Sequence, residues 1–270
     1  MDAIETEVHK LIACGFIREE QHPAWVANIV PVLKKKGKIW VCIDYRDLNA
    51  ACPKYQFPLP ITDVIIDNTC VFERMSFMDG FSGYNQIKMY PEDEKHASFR
   101  TSLGVHCYTV MPFGLKKAGA TYQRAISTIF RKTVECYVDD IAVKSRHKND
   151  HFHDLRTMFD IMRAHQLKMN PTKSLGVLSG KFLRFIVTSK GIHLDPDKVK
   201  AIQNMHPSRN LKEVRGLQGR LTYIKRFLAN LSCRCQPFTR LMKKGVSFVW
   251  DKACQEAFED IKIYLTNPQS

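Results

Sequence analysis

Two adjacent carboxylates, Asp139 and Asp140, stand between two short apolar runs of the sequence. This pattern predicts a β-hairpin with both acids at its tip. A third acid, Asp79, ends another apolar run and is followed by Gly80. Because like charges repel, carboxylates held close together need a cation or a basic group to neutralise them. A bare Asp-Asp pair is more often a solvated turn, so the prediction of a site depends on Asp79 lying beside the hairpin.

Three converging carboxylates would suit a particular chemistry. Hard oxygen ligands of this kind favour Mg²⁺, which keeps some waters and takes substrate phosphates as further ligands. Two such ions about 3.5–4 Å apart are the arrangement used for in-line phosphoryl transfer. The pattern therefore indicates metal-assisted transfer of a phosphoryl or nucleotidyl group.

Composition excludes several classes of protein. The 270 residues are 44% apolar and 25% charged, which is typical of globular proteins and excludes a disordered or collagen-like chain. No apolar run reaches the roughly 18 residues of a membrane-spanning helix. The first residues, MDAIETEVHK, are too acidic for a signal peptide. We therefore predict a cytoplasmic protein, neither secreted nor membrane-bound, whose nine cysteines are free thiols.

The excess of basic residues is concentrated in one segment. Residues 197–245 contain twelve Lys and Arg against two acids, a net charge of +10 out of the chain's formal +14. Such a cluster favours a polyanionic partner, since Lys and Arg gain by releasing the counterions of nucleic acid. A solvated helical face explains the charge about as well, and a membrane surface is a weaker third alternative.

Apolar periodicity outlines the elements that must position these residues. Helices are predicted at 3–20, ending near Gly15, in parts of 82–90 and 115–130, at 151–168 with a stop at Pro171, and after Asp195. A capping box at Asn210 opens a long basic helix to about 228, and a last helix follows Asp251. Hairpins are predicted from strands 27–32 and 39–43, with Lys34, Lys35, Lys36 and Gly37 at the tip, and from 134–138 and 141–143.

Several motifs together resemble one family. The string Tyr137-Val138-Asp139-Asp140 resembles the YxDD motif of reverse transcriptases. Five further blocks resemble that family and occur in its order: VCIDYRDLN at 41–49, FMDGFSGYNQI at 77–87, MPFGL at 111–115 continuing as KKAGATYQRA, KMNPTK at 168–173 and FLRF at 182–185. Over residues 22–265 the set is similar to the polymerase segment of gypsy-type LTR retrotransposons, of plant kind.

The resemblance implies an α+β fold, the right-handed polymerase, with an antiparallel palm sheet packed by helices, fingers, and a helical thumb. The implied divisions are fingers at 1–54 and 87–117, palm at 55–86 and 118–190, a basic thumb at 191–245, and at 246–270 the start of a tether towards an RNase H domain outside this sequence. It also implies RNA-templated or DNA-templated addition of dNTPs to a primer, and partners that include RNA template, DNA primer and RNA–DNA hybrid. Retroelement particles or the nucleus are implied locations besides the cytoplasm, and the sequence gives no oligomeric state.

The resemblance also assigns roles to individual residues. Two Mg²⁺ ions, for which Mn²⁺ could substitute, would be bound by Asp79, Asp139 and the Gly80 carbonyl, with Asp140 adjacent. Lys173 matches the position proposed to protonate pyrophosphate. The implied substrate-binding residues are Lys34, Lys35 and Lys36 at the triphosphate, Tyr84 as a gate against the 2′-hydroxyl, and Phe113 with Gly114 under the nucleotide. The implied nucleic-acid contacts are Arg46, Phe182, Leu183, Arg184, Lys212, Arg215, Arg220, Lys225 and Arg226.

Three positions and one segment depart from the family pattern. Trp40 stands where the family has an Arg on the triphosphate, and an indole lacks that charge and its forked donors. Arg184 replaces the Gly of an FLGF block, Lys117 replaces a smaller polar residue, and the stretch between Phe130 and Tyr137 is short. These changes suggest a decayed copy, so an impaired relic that still binds nucleic acid is the alternative hypothesis. An RNA-synthesising polymerase is disfavoured because Tyr84 would exclude ribose.

Overall fold

The computed structural model describes residues 2–33, 39–55, 57–130, 134–170 and 175–266. The helices are α1 (Asp2–Ala13), α2 (Arg46–Ala51), α3 (Thr62–Thr69), α4 (Pro91–Glu94), α5 (Ala118–Phe130), α6 (His151–Ala164), α7 (Pro196–Gln203), α8 (Leu211–Tyr223), α9 (Leu231–Arg234), α10 (Gln236–Leu241) and α11 (Lys252–Thr266). The strands are β1 (Ile17–Glu19), β2 (Val26–Leu33), β3 (Ile39–Ile43), β4 (Arg74–Gly80), β5 (Ser98–Thr101), β6 (Gly104–Tyr108), β7 (Glu135–Tyr137), β8 (Asp140–Ser145), β9 (Met169–Asn170), β10 (Ser179–Phe182), β11 (Phe185–Thr188) and β12 (Gly191–His193). The chain divides into two units, residues 1–183 with 187–191 and residues 184–186 with 192–270.

A four-stranded antiparallel sheet in the first unit, with the order β7-β8-β4-β9, carries the candidate acids. Side chains on α5 and α6, among them Tyr122, Ile126 and Met158, are buried against residues of this sheet such as Met78 and Ile141. Four consecutive residues of β4 are buried, which is typical of a central strand covered on both faces. The predicted hairpin around Asp139 and Asp140 is confirmed as β7 and β8.

A second sheet in the same unit has the order β1-β6-β5-β2-β3. Its strands are antiparallel except for β2 and β5, which run parallel. The predicted pairing of strands near 27–32 and 39–43 is confirmed, with Leu33 opposite Ile39. The predicted tip of that hairpin, Lys34, Lys35, Lys36 and Gly37, lies outside the described residues.

The second unit is helical between residues 196 and 266, and its helices share one apolar core. Asp195 caps α7 by accepting the Asp197 N–H at 3.1 Å, and Asn210 caps α8 by accepting the Glu213 N–H at 2.9 Å, as the sequence predicts. The predicted apolar stripe on and beyond α8 is buried from Val214 to Leu228. The predicted final helix is α11, and its inward side chains pack into this same core: Cys254, Phe258, Ile261 and Leu265.

Three predicted helical ranges extend too far. The range 3–20 is wrong beyond Ala13, where the following residues form β1, but the predicted end near Gly15 is confirmed because this glycine adopts a left-handed φ of 69°. Helix α6 stops at Ala164, before Gln166 at φ 53°, so residues up to 168 are not helical and Met169 begins β9. Helix α8 stops at Tyr223, and one 3₁₀ turn over Lys225–Phe227 completes the buried stripe.

Candidate active site

The register of β4 against β8 brings the predicted acids to one edge of the sheet. Asp79 lies directly opposite Asp140, and the Gly80 N–H donates to the Asp139 carbonyl at 2.9 Å. Directly paired residues of antiparallel strands project from the same face of the sheet. Two acids separated by some sixty positions in sequence are therefore neighbours because a long antiparallel ladder aligns the two strand ends.

The Asp139 carboxylate lies in an unfavourable electrostatic environment. Its Oδ1 is buried and has no hydrogen-bond partner among the described residues. Burial, followed by the charges of Asp79 and Asp140, raises the pKa of the Asp139 carboxyl above its usual range. A buried anionic oxygen without a partner is costly, and a bound divalent cation would remove that cost.

The described residues do not contain three or more His, Cys, Asp or Glu side chains grouped so that they could hold a metal ion by themselves. A cation at this edge would therefore need ligands besides carboxylates. The chemistry of Mg²⁺ supplies them, because it commonly binds one or two carboxylates and completes its shell with waters and substrate phosphates. The orphaned Asp139 oxygen, its acidic neighbours and the Gly80 backbone fit that donor set.

Two glycines make room for the Asp139 carboxylate. A Cβ added to Gly83 would overlap Asp139 Oδ1 and would lie 3.1 Å from Cζ of Tyr122. A Cβ added to Gly80 would lie 2.9 Å from the Tyr122 hydroxyl and 3.4 Å from the same carboxylate oxygen. Asp139 therefore occupies the space that a side chain at Gly83 would fill, a contact that residue spacing along the chain does not reveal.

A buried amide holds the turn that presents Asp139. Gln123 on α5 is fully buried, its Oε1 accepts the Val138 N–H at 2.6 Å, and its Nε2 donates to the Cys136 carbonyl at 3.0 Å. Val138 adopts a φ of 50°, a left-handed conformation that is unfavourable for a β-branched residue. Gln123 stands in the string KKAGATYQRA, but its role was missed because its partners are set by tertiary structure.

The predicted nucleotide-binding aromatics lie beside the acids. Tyr84 packs against Phe113, with ring centroids 5.0 Å apart, and edge-on against Tyr122 at 5.5 Å. Burial and the nearby charge of Asp139 raise the pKa of the Tyr84 hydroxyl. Gly114 has a φ of 100°, and its carbonyl accepts a hydrogen bond from the Asn49 side chain at 2.8 Å.

Other predicted residues are not brought to this edge by any contact of the described chain. Arg46 is 88% exposed and pairs with Asp44. Phe182 is buried against Phe77, with centroids 5.5 Å apart. In the second unit the predicted thumb cations are exposed: Lys212, Arg215, Arg220, Lys225 and Arg226.

The remaining predicted residues fall at a strained turn or outside the described chain. Leu183 and Arg184 form the two-residue turn between β10 and β11, and both have positive φ, 46° and 75°. A turn with two such angles favours Asn-Gly or Gly-Gly, so Leu-Arg is strained there. Lys173, like the lysines at 34–36, lies outside the described residues.

A second buried polar cluster lies at the opposite end of β4 and β8. His151 Nε2 is 2.7 Å from the Ser76 hydroxyl and His151 Nδ1 is 2.7 Å from the Ser145 hydroxyl. Ser145 donates to Asp154 at 2.5 Å, so it must accept the proton on Nδ1, and Nε2 is then free to accept from Ser76. This assignment leaves His151 neutral. Burial lowers the pKa of His151, while Asp154 opposes that shift.

Two solved structures of a foamy viral protease–reverse transcriptase share this fold. The structure in complex with double-stranded DNA matches with a TM-score of 0.90 and 22% identity, over 100% of this chain and 48% of that chain. The structure in complex with an RNA/DNA hybrid matches with a TM-score of 0.86 and 21% identity, over 98% and 37%. The predicted fold class, a right-handed polymerase of mixed helix and sheet, is confirmed.

Residues 32–209 match the reverse transcriptase (RNA-dependent DNA polymerase) family, and the chain belongs to it. The chain is 31% identical over 272 residues to the retrovirus-related Pol polyprotein from transposon 297 of Drosophila melanogaster, over 97% of this chain and 26% of that protein. It is 28% identical over 279 residues to the transposon Tf2-3 polyprotein of Schizosaccharomyces pombe, over 99% and 20%. The chain thus spans about a fifth to a quarter of the length of these relatives, and the predicted kinship with LTR-retrotransposon Pol polyproteins is confirmed. Within the part of the chain that the structure describes, every helix is too short or too polar to cross a bilayer.

Proposed function

We propose that this chain is the RNA-directed DNA polymerase core of a gypsy-type LTR retrotransposon, of plant kind. It adds dNTPs to a primer 3′-hydroxyl on an RNA or DNA template, with RNA–DNA hybrid among its ligands. The observation that carries the proposal is the alignment of Asp79 with Asp140 beside Asp139, whose buried oxygen has no partner in the described structure.

In this proposal Asp79, Asp139 and the Gly80 carbonyl would hold two Mg²⁺ ions, with Asp140 adjacent and with Mn²⁺ as a substitute. When bound, the metal would lower the pKa of the attacking hydroxyl and neutralise charge on the transferring phosphate. The bond from the primer 3′-oxygen to the α-phosphorus would form as the bond to pyrophosphate breaks, and the hydroxyl proton would pass to water. The carboxylates would act on the phosphate only through the metal, because on their own they repel it. The protein supplies no nucleophile of its own, so its contribution is positioning and electrostatics.

The remaining assignments divide substrate binding among the surrounding elements. Tyr84 and Phe113 already form an aromatic surface beside Asp139, which supports contact with the sugar and base. Lys34, Lys35 and Lys36 would meet the triphosphate, and Lys173 would protonate pyrophosphate. Leu183 and Arg184 would contact the primer, whereas Phe182 is buried against Phe77 and would support their turn from inside. The basic helices at 191–245 would hold the duplex as a thumb. Residues 1–54 and 87–117 would be fingers, 55–86 and 118–190 palm, and 246–270 the start of a tether.

Primer extension on an RNA template tests the proposal. We expect Asp139→Asn to lower dNTP incorporation at least about 100-fold, the scale of losing one transition-state electrostatic contact. Asp160→Asn, an exposed acid on α6, is the matched control and should retain full activity. Incorporation by Asp139→Asn at the wild-type rate would refute the assignment of the site. Tyr84→Ala should admit rNTPs that the wild type excludes.

One observation favours the alternative of an impaired relic. Arg184 sits at a φ of 75°, a conformation that suits the glycine of the family pattern. The relic would bind nucleic acid with a steep salt dependence but would extend no primer. Extension by the Trp40→Arg, Arg184→Gly double variant, together with its absence in the wild type, would assign this chain to the relic.

A further inference from the structure

A basic, aromatic groove lies far from the acids, at the start of β4 and the beginning of α6. Arg74 begins β4, five residues before Asp79, which corresponds to about 17 Å along a strand. The groove has a volume of about 810 Å³, within the range of roughly 300–1,000 Å³ seen for ligand pockets. Its lining includes Arg74, Lys148, Phe152, Arg156, Phe159 and Arg163.

Helix α6 presents rings and guanidinium groups alternately along this groove. Phe152, Arg156, Phe159 and Arg163 are spaced by four, three and four residues, which places them on one helical face. The stripe extends about 16 Å at the helical rise of 1.5 Å per residue. Phe152 is 84% exposed, an unusual state for a phenylalanine, so its ring is available for contact along one face.

Few acidic side chains neutralise the positive charges that line the groove. Within the described chain the side chains of Arg74, Lys148 and Arg156 form no ion pair, and only Arg163 does, with Asp160 at 2.8 Å. That pair is solvent-exposed, so it contributes little and can open. No Asp or Glu is among the described residues that line the groove. Glu73 contacts the backbone of the groove, where it accepts the Lys148 N–H at 2.8 Å.

We propose that this groove is an accessory site for single-stranded nucleic acid, bound without sequence preference. Arg74, Lys148, Arg156 and Arg163 would contact phosphates, and bases would stack on Phe152 and Phe159. Stacking rings interleaved with cations are the general means by which proteins hold single strands. An acidic peptide could pair with the cations, but its binding would not require two aromatic rings that alternate with arginines. The inference does not require polymerase activity, and the primer-extension result does not decide it.

Fluorescence anisotropy with a labelled oligo(dT) of about 12 nucleotides tests this site, since single-strand sites span roughly 4–16 nucleotides. Saturating blunt-ended duplex DNA occupies the proposed polymerase cleft during the titration. We expect Phe152→Ala to raise Kd by about 5- to 150-fold, the value of one stacked base. Phe152→Trp should keep wild-type affinity, whereas Phe152→Leu, which is apolar but not aromatic, should behave like Phe152→Ala. Because Phe152 is exposed, these variants should fold normally, which thermal melts will verify.

The charge contribution is measured by salt dependence. Arg156→Gln should make the slope of log K against log salt less negative by about 0.7, the value of one phosphate contact on a single strand. Arg146→Gln, an exposed arginine outside the groove, is the matched control and should leave affinity and slope unchanged. Wild-type affinity in both Phe152→Ala and Arg156→Gln would overturn the proposal, as would equal binding by Phe152→Leu and Phe152→Trp. A Glu- and Phe-containing peptide that binds more tightly than oligo(dT), and that Phe152→Ala no longer binds, would assign the groove to an acidic protein instead.

Discussion

Replacing Gln123 by Met should impair catalysis without touching any predicted ligand. Methionine has a similar length but cannot accept the Val138 N–H or donate to the Cys136 carbonyl, bonds of 2.6 and 3.0 Å in the structure. Each buried polar group left without a partner costs about 1–3 kcal/mol, so the free energy of unfolding should fall by about 2–6 kcal/mol. The left-handed φ of Val138 stores about 1–3 kcal/mol of strain, and the turn will relax once the clamp is gone.

Relaxation of that turn moves Asp139, the next residue along the chain. A misplacement of about 1 Å typically lowers the rate about 100-fold, so kcat in primer extension should fall by a factor of about 10–100. KM for dNTP should change little, because Tyr84 and Phe113 do not depend on Gln123. Urea unfolding measures stability in parallel, and a small change in kcat alongside a large loss of stability would mean that Gln123 stabilises the fold without positioning Asp139.

Ser127→Ala is the control that leaves the contacts between Gln123 and the Asp139 turn unchanged. It removes only the 3.0 Å bond from Gln123 Nε2 to the Ser127 hydroxyl and leaves both contacts to the turn intact. We expect it to keep kcat within about twofold of wild type, since no group that contacts the turn is changed. Two results would refute this role of Gln123: a Gln123→Met variant that unfolds at the wild-type urea midpoint and extends primers at the wild-type rate, or a Ser127→Ala variant that lowers kcat as much as Gln123→Met does.

Changes at three other positions test separate parts of the structure. Gly83→Ala should lower kcat at least about 10-fold, because its Cβ would overlap the carboxylate of Asp139; an unchanged kcat would mean that the carboxylate has room to move. Arg184→Gly should raise the free energy of unfolding by about 1 kcal/mol by relieving the φ of 75°, whereas Arg184→Ala, which keeps a Cβ, should not; equal urea midpoints for the two variants would contradict the strain. The pKa of His151 is lowered in the folded state, so neutral His151 contributes fully to the free energy of unfolding above about pH 6.5. That contribution is lost as the pH falls below this value, and the free energy of unfolding then changes by at most about 1.4 kcal/mol per pH unit. His151→Gln should flatten that slope in urea titrations, and His153→Gln, an exposed histidine on the same helix, should not.

The local sequence pattern was sufficient to predict hairpins and helix caps, but it did not predict which strands distant in sequence pair with one another. The hairpin at Asp139 and the caps at Asp195 and Asn210 were predicted because turns and helix ends depend on a few neighbouring side chains. The range of the first helix was predicted too long because β1, with only three residues, is too short to show the alternating pattern of a strand. Its pairing with β6 depends on residues about ninety positions away.

The site residues likewise fall into those that the sequence predicted and those that only the folded chain reveals. The acids were found because their types and the surrounding motif carry the chemistry, whereas Gln123 and Gly83 act only through contacts made in the folded chain. In the sequence, a buried glutamine cannot be told from an exposed polar residue, and a packed glycine cannot be told from one in an ordinary turn. The register that places Asp79 opposite Asp140 is likewise a property of the sheet and not of either strand alone.

The turns beside the acids are strained, and amide side chains hold them. Ser82, three residues after Asp79, has a φ of 50°, and nearby Gln86 accepts the Lys168 N–H at 2.6 Å while donating to the Phe81 carbonyl at 2.6 Å. Gln123 does the same for Val138, with its own pair of backbone contacts. Strained backbone persists only where its surroundings over-determine it. Because a glutamine can both accept and donate, Gln86 joins the segments at Phe81 and Lys168, whereas Gln123 holds two backbone groups of a single turn. Together the two amides hold the ends of β4 and β8 in the conformation that brings the acids together despite their repulsion.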